Sequence, residues 1–332
     1  MKARAVYFPD RLRVEFGDVT VPEPGPSDVV VQTKYSFISN GTEGSFLRGE
    51  RINGETAYRP GDVWPFPIAP GYQSTGIVES VGSAVTDIHP GQWVFAALGR
   101  VEGMYEPWGG HISPKVTDRS QIWAVPESVS PVAVSGLVLA QVGYNSGTRP
   151  EVKAGDTALI IGDGLVGHWT AQTLHQRGAN VILAGRHADR LALFRDSPGR
   201  RCVNAATEDL AAAVRRLAPE GVHILVDTVG SIATIRELFP LLTHNSHIVS
   251  TGFHGADCLM DIQLLRFKEC TLHSPSGWEK RRMDETLDWI AAGHLEVESL
   301  ITHRFPVEKA AEAWELILDK SEPSLGVLLT WD

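Results

Sequence analysis

Hydrophobic and polar positions alternate over short runs through the first third of the chain, then change period. "ARAVYF", "LRVEFGDV" and "DVVVQTKYSFIS" are rich in Val, Tyr and Phe and are broken by the turn-forming "PEPGPSD". "GIVESVG" and "PGQWVFAAL" repeat the pattern. Proline and glycine at such short intervals predict a compact, barrel-like β domain rather than a helical one.

From roughly residue 130 the pattern becomes strand–helix alternation. "DTALIIG" is a near-continuous apolar run, as in a strand covered on both faces. Val166, Trp169, Thr173 and Leu174 recur at helical spacing, predicting a helix from Leu165 to Arg177 with Gly178 as its stop. Then come "NVILAG", a helix from Ala188 to about Asp196, and a helix from Glu208 to Leu217. "VHILVDTVG", a helix around Ile235 to Leu241, and "SHIVSTGF" continue the series. Such alternation predicts an α/β fold with a parallel, doubly wound sheet. Two further helical patterns, near 283–292 and 308–319, precede a strand at "GVLLTW".

Composition narrows the function classes. At 332 residues the chain accommodates two domains, and a formal charge of −10 argues against a nucleic-acid surface or an anionic-membrane anchor. Cys202, Cys258 and Cys270 are too scattered for a disulfide framework and offer no C-x-x-C knuckle. The first residues, "MKARAVYFPD", hold no signal-like apolar stretch, and no run of 18 apolar residues occurs, so a cytoplasmic location is expected.

Candidate chemistry centres on Gly162-Asp163-Gly164-Leu165-Val166-Gly167, a G-x-G-x-x-G string between a buried strand and a helix. Gly162 permits the tight turn, Gly164 lets a pyrophosphate approach the backbone, and Gly167 lets helix and strand pack closely. The alternative is a glycine-rich turn with no ligand. About twenty residues on, Ala184-Gly185-Arg186-His187 contains no acid to bind a ribose 2′-hydroxyl. Arg186, helped by His187 and Arg190, suits a 2′-phosphate, so NADP(H) is expected over NAD(H). The competing role for Arg186 is a solvated residue stacking on adenine, which either cofactor tolerates.

"PFPIAPGYQSTGIVESVGSAVTDIHPGQWV" and "VSGLVLAQVGYNSG" before "VKAGDTALIIGDGLVG" are similar to blocks of the medium-chain dehydrogenase/reductase superfamily. The resemblance covers nearly the whole chain. It implies a GroES-like catalytic domain (1–125 and 273–332) around a Rossmann cofactor domain (126–272), a small-molecule substrate and a homodimer. Zinc alcohol dehydrogenases of that family hold metal with Cys, His and a later Cys or Glu; here those places carry Ser39, Tyr72, Gln73 and the region of Leu137 and Val138. A hydroxyl, a phenol and an amide cannot replace thiolate and imidazole, so no metal is expected. His111, His247 and His303 are read as satisfied or surface histidines. "ISNGTEGSFLRG", "PIAPGYQSTG", "LITHRFPVEKAAEAW" and "LLTWD" resemble a zinc-free branch that includes bacteriochlorophyllide hydroxyethyl dehydrogenases and alcohol or sugar dehydrogenases.

The resemblance further implies site residues. Thr42 stands where a relay Ser/Thr is expected, with an N-cap as its alternative role. Tyr72 is the candidate hydrogen bond to the reacting oxygen, the alternative being aromatic packing. Ser39 assists or bonds backbone, and Glu43 is expected to be paired. Thr228, Thr251, Gly252 and Phe253 are expected beside the cofactor, and His254 and Trp278 beside the substrate, with Trp64 and Trp108 as further aromatic walls. Three functions stay open: a secondary alcohol/ketone dehydrogenase, a quinone or enone C=C reductase, and a non-catalytic NADP(H)-binding protein.

Overall fold

The computed structural model describes residues 1–53, 56–105, 108–194, 197–255 and 258–332. The chain forms two compact units, one of Met1–Val138 with Val297–Asp332 and one of Leu139–Glu296. The sequence expectation draws the seams at 125/126 and 272/273; the compact units meet at 138/139 and 296/297.

The first unit is built on a mixed sheet in the order Ile122–Ala124, Trp93–Ala96, Ser74–Val81, Asp28–Phe37, Gly326–Thr330, Ile301–Pro306, with Lys115–Asp118 also pairing Asp28–Phe37. Pairing is antiparallel except between Ile301–Pro306 and Gly326–Thr330. A second sheet joins Glu15–Thr20, Lys2–Tyr7 and Ile112–Ser113. Phe8, Ile38, Phe46, Leu47, Trp314 and Leu329 lie in one core, so the late segment shares the hydrophobic interior of the early one.

The second unit holds six parallel strands in the order Arg200–Asn204, Asn180–Gly185, Thr157–Ile161, Val222–Asp227, Leu242–Ser250, Thr271–His273. In chain order this reads 3-2-1-4-5-6, the doubly wound arrangement the alternation predicts. Along Thr157–Ile161, Leu159 and Ile161 enter one core while Ala158 and Ile160 enter another, which is why its apolar run is continuous. The helix predicted from Leu165 runs to Gln176. That from Ala188 ends at Ala192, and its predicted end near Asp196 lies outside the described residues. Helices also occupy Lys280–Ala291 and Ala310–Asp319, as the periodicity near 283–292 and 308–319 predicts. Leu137–Thr148 is a helix that the apolar pattern did not announce.

Candidate functional site

In the second unit the parallel register aligns Ile161 with both Ala184 and Asp227, and Asp227 with Ser250. The following residues, Gly162, Gly185, Thr228 and Thr251, therefore leave the sheet along one edge. That edge is formed by the carboxyl ends of the strands, where ligands bind in such sheets. Gly162 has φ +117°, and a Cβ there would lie 2.2 Å from Thr228 Oγ1. A Cβ on Gly167 would lie 1.9 Å from the Gly162 carbonyl oxygen. Turn and helix thus pack closer than any side chain permits. Gly164 is different: a Cβ there would meet nothing within 4 Å. It caps the helix Leu165–Gln176 without any side-chain bond to the first-turn N–H groups. Open space over free amides fits the diphosphate of a dinucleotide, to be held by Gly164, Leu165, Val166 and Gly167.

The flanking residues are largely spoken for. Thr228 Oγ1 donates to Ile161 O (2.8 Å), and Thr251 Oγ1 meets Ser146 Oγ at 2.9 Å. The Thr251 and Gly252 amides both donate to Asp227 O. The buried Asp227 carboxylate accepts from the amides of Val229, Gly230 and Ser231. His254 Nε2 lies 2.7 Å from Ser250 Oγ and 3.9 Å from Asp227 Oδ2, while its buried Nδ1 has no hydrogen-bond partner among the described residues. Phe253 precedes it, and Trp278 is half-buried on a separate loop of the same unit.

At the end of Asn180–Gly185, Arg186 is exposed, the His187 side chain is 45% exposed and Arg190 is partly covered. They surround Asp163, which the sequence reading treats only as a variable position of the glycine motif. One helical turn on, His168 is fully buried with neither ring nitrogen hydrogen-bonded among the described residues, and burial pushes its imidazole down to about 4.

The first unit gathers a different group. The Tyr72 hydroxyl donates to Ser39 Oγ at 2.5 Å and also faces the Thr42 hydroxyl. Burial pushes this phenol up to about 12, and the guanidinium of buried Arg51 opposes that shift. Tyr72 therefore keeps its proton across the physiological range. Trp108 stands edge-on to Tyr72 (centroids 6.0 Å) and to Phe46 (4.8 Å). Trp64 is held elsewhere, donating to Asp10 Oδ1 at 3.0 Å and packing on Tyr58 and Phe66.

The N-cap alternative for Thr42 is corrected: the helix spans Asn40–Leu47, so Thr42 lies inside its first turn and Ser39 occupies the cap. Ser39 makes no side-chain cap bond. Instead its amide donates to Glu43 Oε1 (2.8 Å), and Glu43 Oε2 meets His111 Nε2 at 2.9 Å, both side chains being fully buried. His111 Nδ1 lies 2.8 Å from Ser36 Oγ, which accepts from Trp331 Nε1 at 2.9 Å. Indole N–H only donates and a carboxylate only accepts, so the proton of neutral His111 belongs on Nε2 and Ser36 donates to Nδ1. Sequence reasoning left His111 outside the site; its place 68 residues from Glu43 carries no local signal.

The positions where relatives keep metal ligands fit zinc poorly. Ser39 accepts the Tyr72 proton, and Gln73 is buried with Nε2 donating to Phe37 O at 3.3 Å. Neither thiolate nor imidazole is among them, and no cluster of three or more His, Cys, Asp or Glu side chains capable of holding a metal occurs among the described residues. Nor is any helix among them long and apolar enough to cross a membrane.

Comparison with known proteins adds context. The zinc-binding dehydrogenase family matches residues 166–292. The chain is 27% identical to the 2-desacetyl-2-hydroxyethyl bacteriochlorophyllide A dehydrogenase of Rhodobacter capsulatus, over 100% of this chain and 99% of the relative. Its fold is similar to that of a Sinorhizobium meliloti protein solved with NADP (23% identity, TM-score 0.82, 99% of each chain). It is equally similar to a short chain alcohol dehydrogenase of Escherichia coli solved with NADH (21% identity, TM-score 0.85, 99% of each chain).

Proposed function

The chain belongs to the medium-chain dehydrogenase/reductase superfamily and is an NAD(P)-dependent oxidoreductase, and on that premise we propose that it interconverts a secondary alcohol and its ketone without zinc. The alcohol is a sugar, a polyol or a hydroxyalkyl group, and NADP(H) is the preferred carrier. The observation that carries this reading is the buried Tyr72–Ser39 hydroxyl pair at positions where zinc-holding relatives keep ligands, with the partly exposed Thr42 hydroxyl beside it.

The bound dinucleotide would supply or remove the hydride. Its diphosphate would rest on the amides after Gly164, and its 2′-phosphate would meet Arg186, His187 and Arg190. Tyr72 is a weak, fully protonated acid, and by turning its single O–H from Ser39 Oγ to the substrate it would donate to a carbonyl oxygen that gains negative charge during reduction. Thr42 would re-supply that proton, and Ser39 would hold the phenol until substrate arrives. Glu43, locked between the Ser39 amide and His111, would set the shape of this cluster rather than touch substrate. We place the enzyme in the cytoplasm as a homodimer; the cysteine pattern supports the first and the family resemblance the second.

A substrate panel tests the proposal. Polyols, secondary alcohols and ketones are expected to turn over with NADP(H), while quinones and enones do not. Turnover of the enones alone would overturn the assignment, as would loss of activity on chelation with recovery by Zn²⁺. Gly164→Ala refines the test: nothing crowds a Cβ there, so the variant should keep its melting temperature yet bind NADPH at least about tenfold more weakly.

A further inference from the structure

The acid that reaches the second strand end comes from the glycine turn. Asp163 is 5% exposed, and its Oδ2 accepts from the amides of Arg186 and His187, each at 2.8 Å. His187 Nδ1 lies 3.0 Å from both carboxylate oxygens, and Arg190 reaches within 3.8 Å of Oδ1. The carboxylate lies so close to the strand that a Cβ on Gly185 would sit 2.2 Å from Oδ2. In dinucleotide folds an acid at this end ordinarily accepts from the ribose 2′-hydroxyl and repels a 2′-phosphate. Asp163 cannot play that part, because its lone pairs are taken by two amides and an imidazole. Its charge is offset by Arg190. Arg186, whose amide it clamps, has an exposed guanidinium that forms no hydrogen bond or ion pair among the described residues.

We propose that Asp163 is a specificity-determining positioning residue: it fixes the Arg186–His187 backbone so that the Arg186 guanidinium is presented to the 2′-phosphate of NADP(H). This rests on the NADP(H) preference proposed above. Asp163 acts through its neighbours and does not touch the cofactor. Gly185 belongs to the same device, since any side chain there would displace the carboxylate.

The test is fluorescence titration of the full-length chain with NADPH and with NADH, in wild type and in Asp163→Ala, Asp163→Asn and Arg186→Ala. Asp163→Ala should lose about tenfold or more of the NADPH-over-NADH preference, through weaker NADPH binding, with NADH affinity changed less than about threefold. Asp163→Asn keeps an oxygen for the two amides and should retain at least about a third of the preference. Equal weakening of both cofactors in Asp163→Ala, or an unchanged preference, overturns the inference, because a merely structural role moves both affinities together. Should that variant fail to fold, Asp163→Glu serves instead: the extra methylene has no room against Gly185, and the same loss of preference is expected. A wild type that binds NADH as tightly as NADPH overturns the cofactor reading and this inference together. A wild-type preference abolished by Arg186→Ala but untouched by Asp163→Ala overturns this inference alone.

Discussion

The candidate sites of the two units hold their buried carboxylates by opposite strategies. In the second unit Asp163 and Asp227 sit at strand ends and give their oxygens mainly to backbone amides of loops nearby in the sequence or at the neighbouring strand end. In the first unit Glu43, His111, Ser36 and Trp331 satisfy one another across 295 residues of chain, with Glu43 also holding one local amide. A carboxylate bonded to several amides leaves only amides behind when removed, and a loop can turn those toward water. A carboxylate bonded to a buried imidazole leaves an unpaired polar ring in an apolar interior. The comparison teaches that the first unit's site is the more fragile and the second's the more tolerant.

The largest effect should therefore come from Glu43→Ala, which orphans His111 and the Ser39 amide and is expected to cost about 3–5 kcal/mol in urea unfolding. If Asp227→Asn, which keeps one acceptor oxygen, costs as much in the same assay, the contrast between the units fails. Next is Tyr72→Phe. Removing one proton-donating hydroxyl should lower kcat about ten- to a hundredfold while leaving the NADPH dissociation constant unchanged; an equal loss in binding would make Tyr72 a packing residue.

The smallest effect sharpens the comparison from the other side. His168 is the second unit's exception, a buried ring whose nitrogens have no hydrogen-bond partner among the described residues. Its folded value near 4 lies below the ordinary 6.5, so the unfolded chain takes up a proton first as pH falls. Stability is thus lost between about pH 6.5 and 4. His168→Leu should raise stability by about 1 kcal/mol at pH 7, with the gain widening toward pH 4 in melting curves recorded across that range.

What could be read from the sequence follows the same division. The Gly162–Gly167 turn and the parallel sheet are legible because both are local: glycine spacing, and apolar runs covered on two faces. Tyr72 and Ser39 lie 33 residues apart and were found only through resemblance to a family. His111 carries no local signal because its partners Ser36 and Glu43 lie 75 and 68 residues away, and Asp163 carries none because a variable position within a motif invites no attention. The helix Leu137–Thr148 gave no amphipathic signal: it is buried along most of its length, and Gly143 and Gly147 interrupt it. Those glycines exist for contact, since a Cβ on Gly143 would lie 2.5 Å from Trp169 Cβ. The start of Asn40–Leu47 was placed three residues late, because Thr42 looks like a cap and Asn40-Gly41 does not look like helix.

The pairing of Gly326–Thr330 with Asp28–Phe37 has a consequence for biosynthesis. A ribosome makes every strand of the second unit before it makes Gly326–Thr330, which lies between Asp28–Phe37 and Ile301–Pro306 in the first unit's sheet. The second unit's sheet can thus assemble while the first unit's still exposes the Tyr35–Phe37 edge that Gly326–Thr330 later covers. A chain cut before Gly326 would keep that edge open, with unpaired backbone groups ready to pair with another chain.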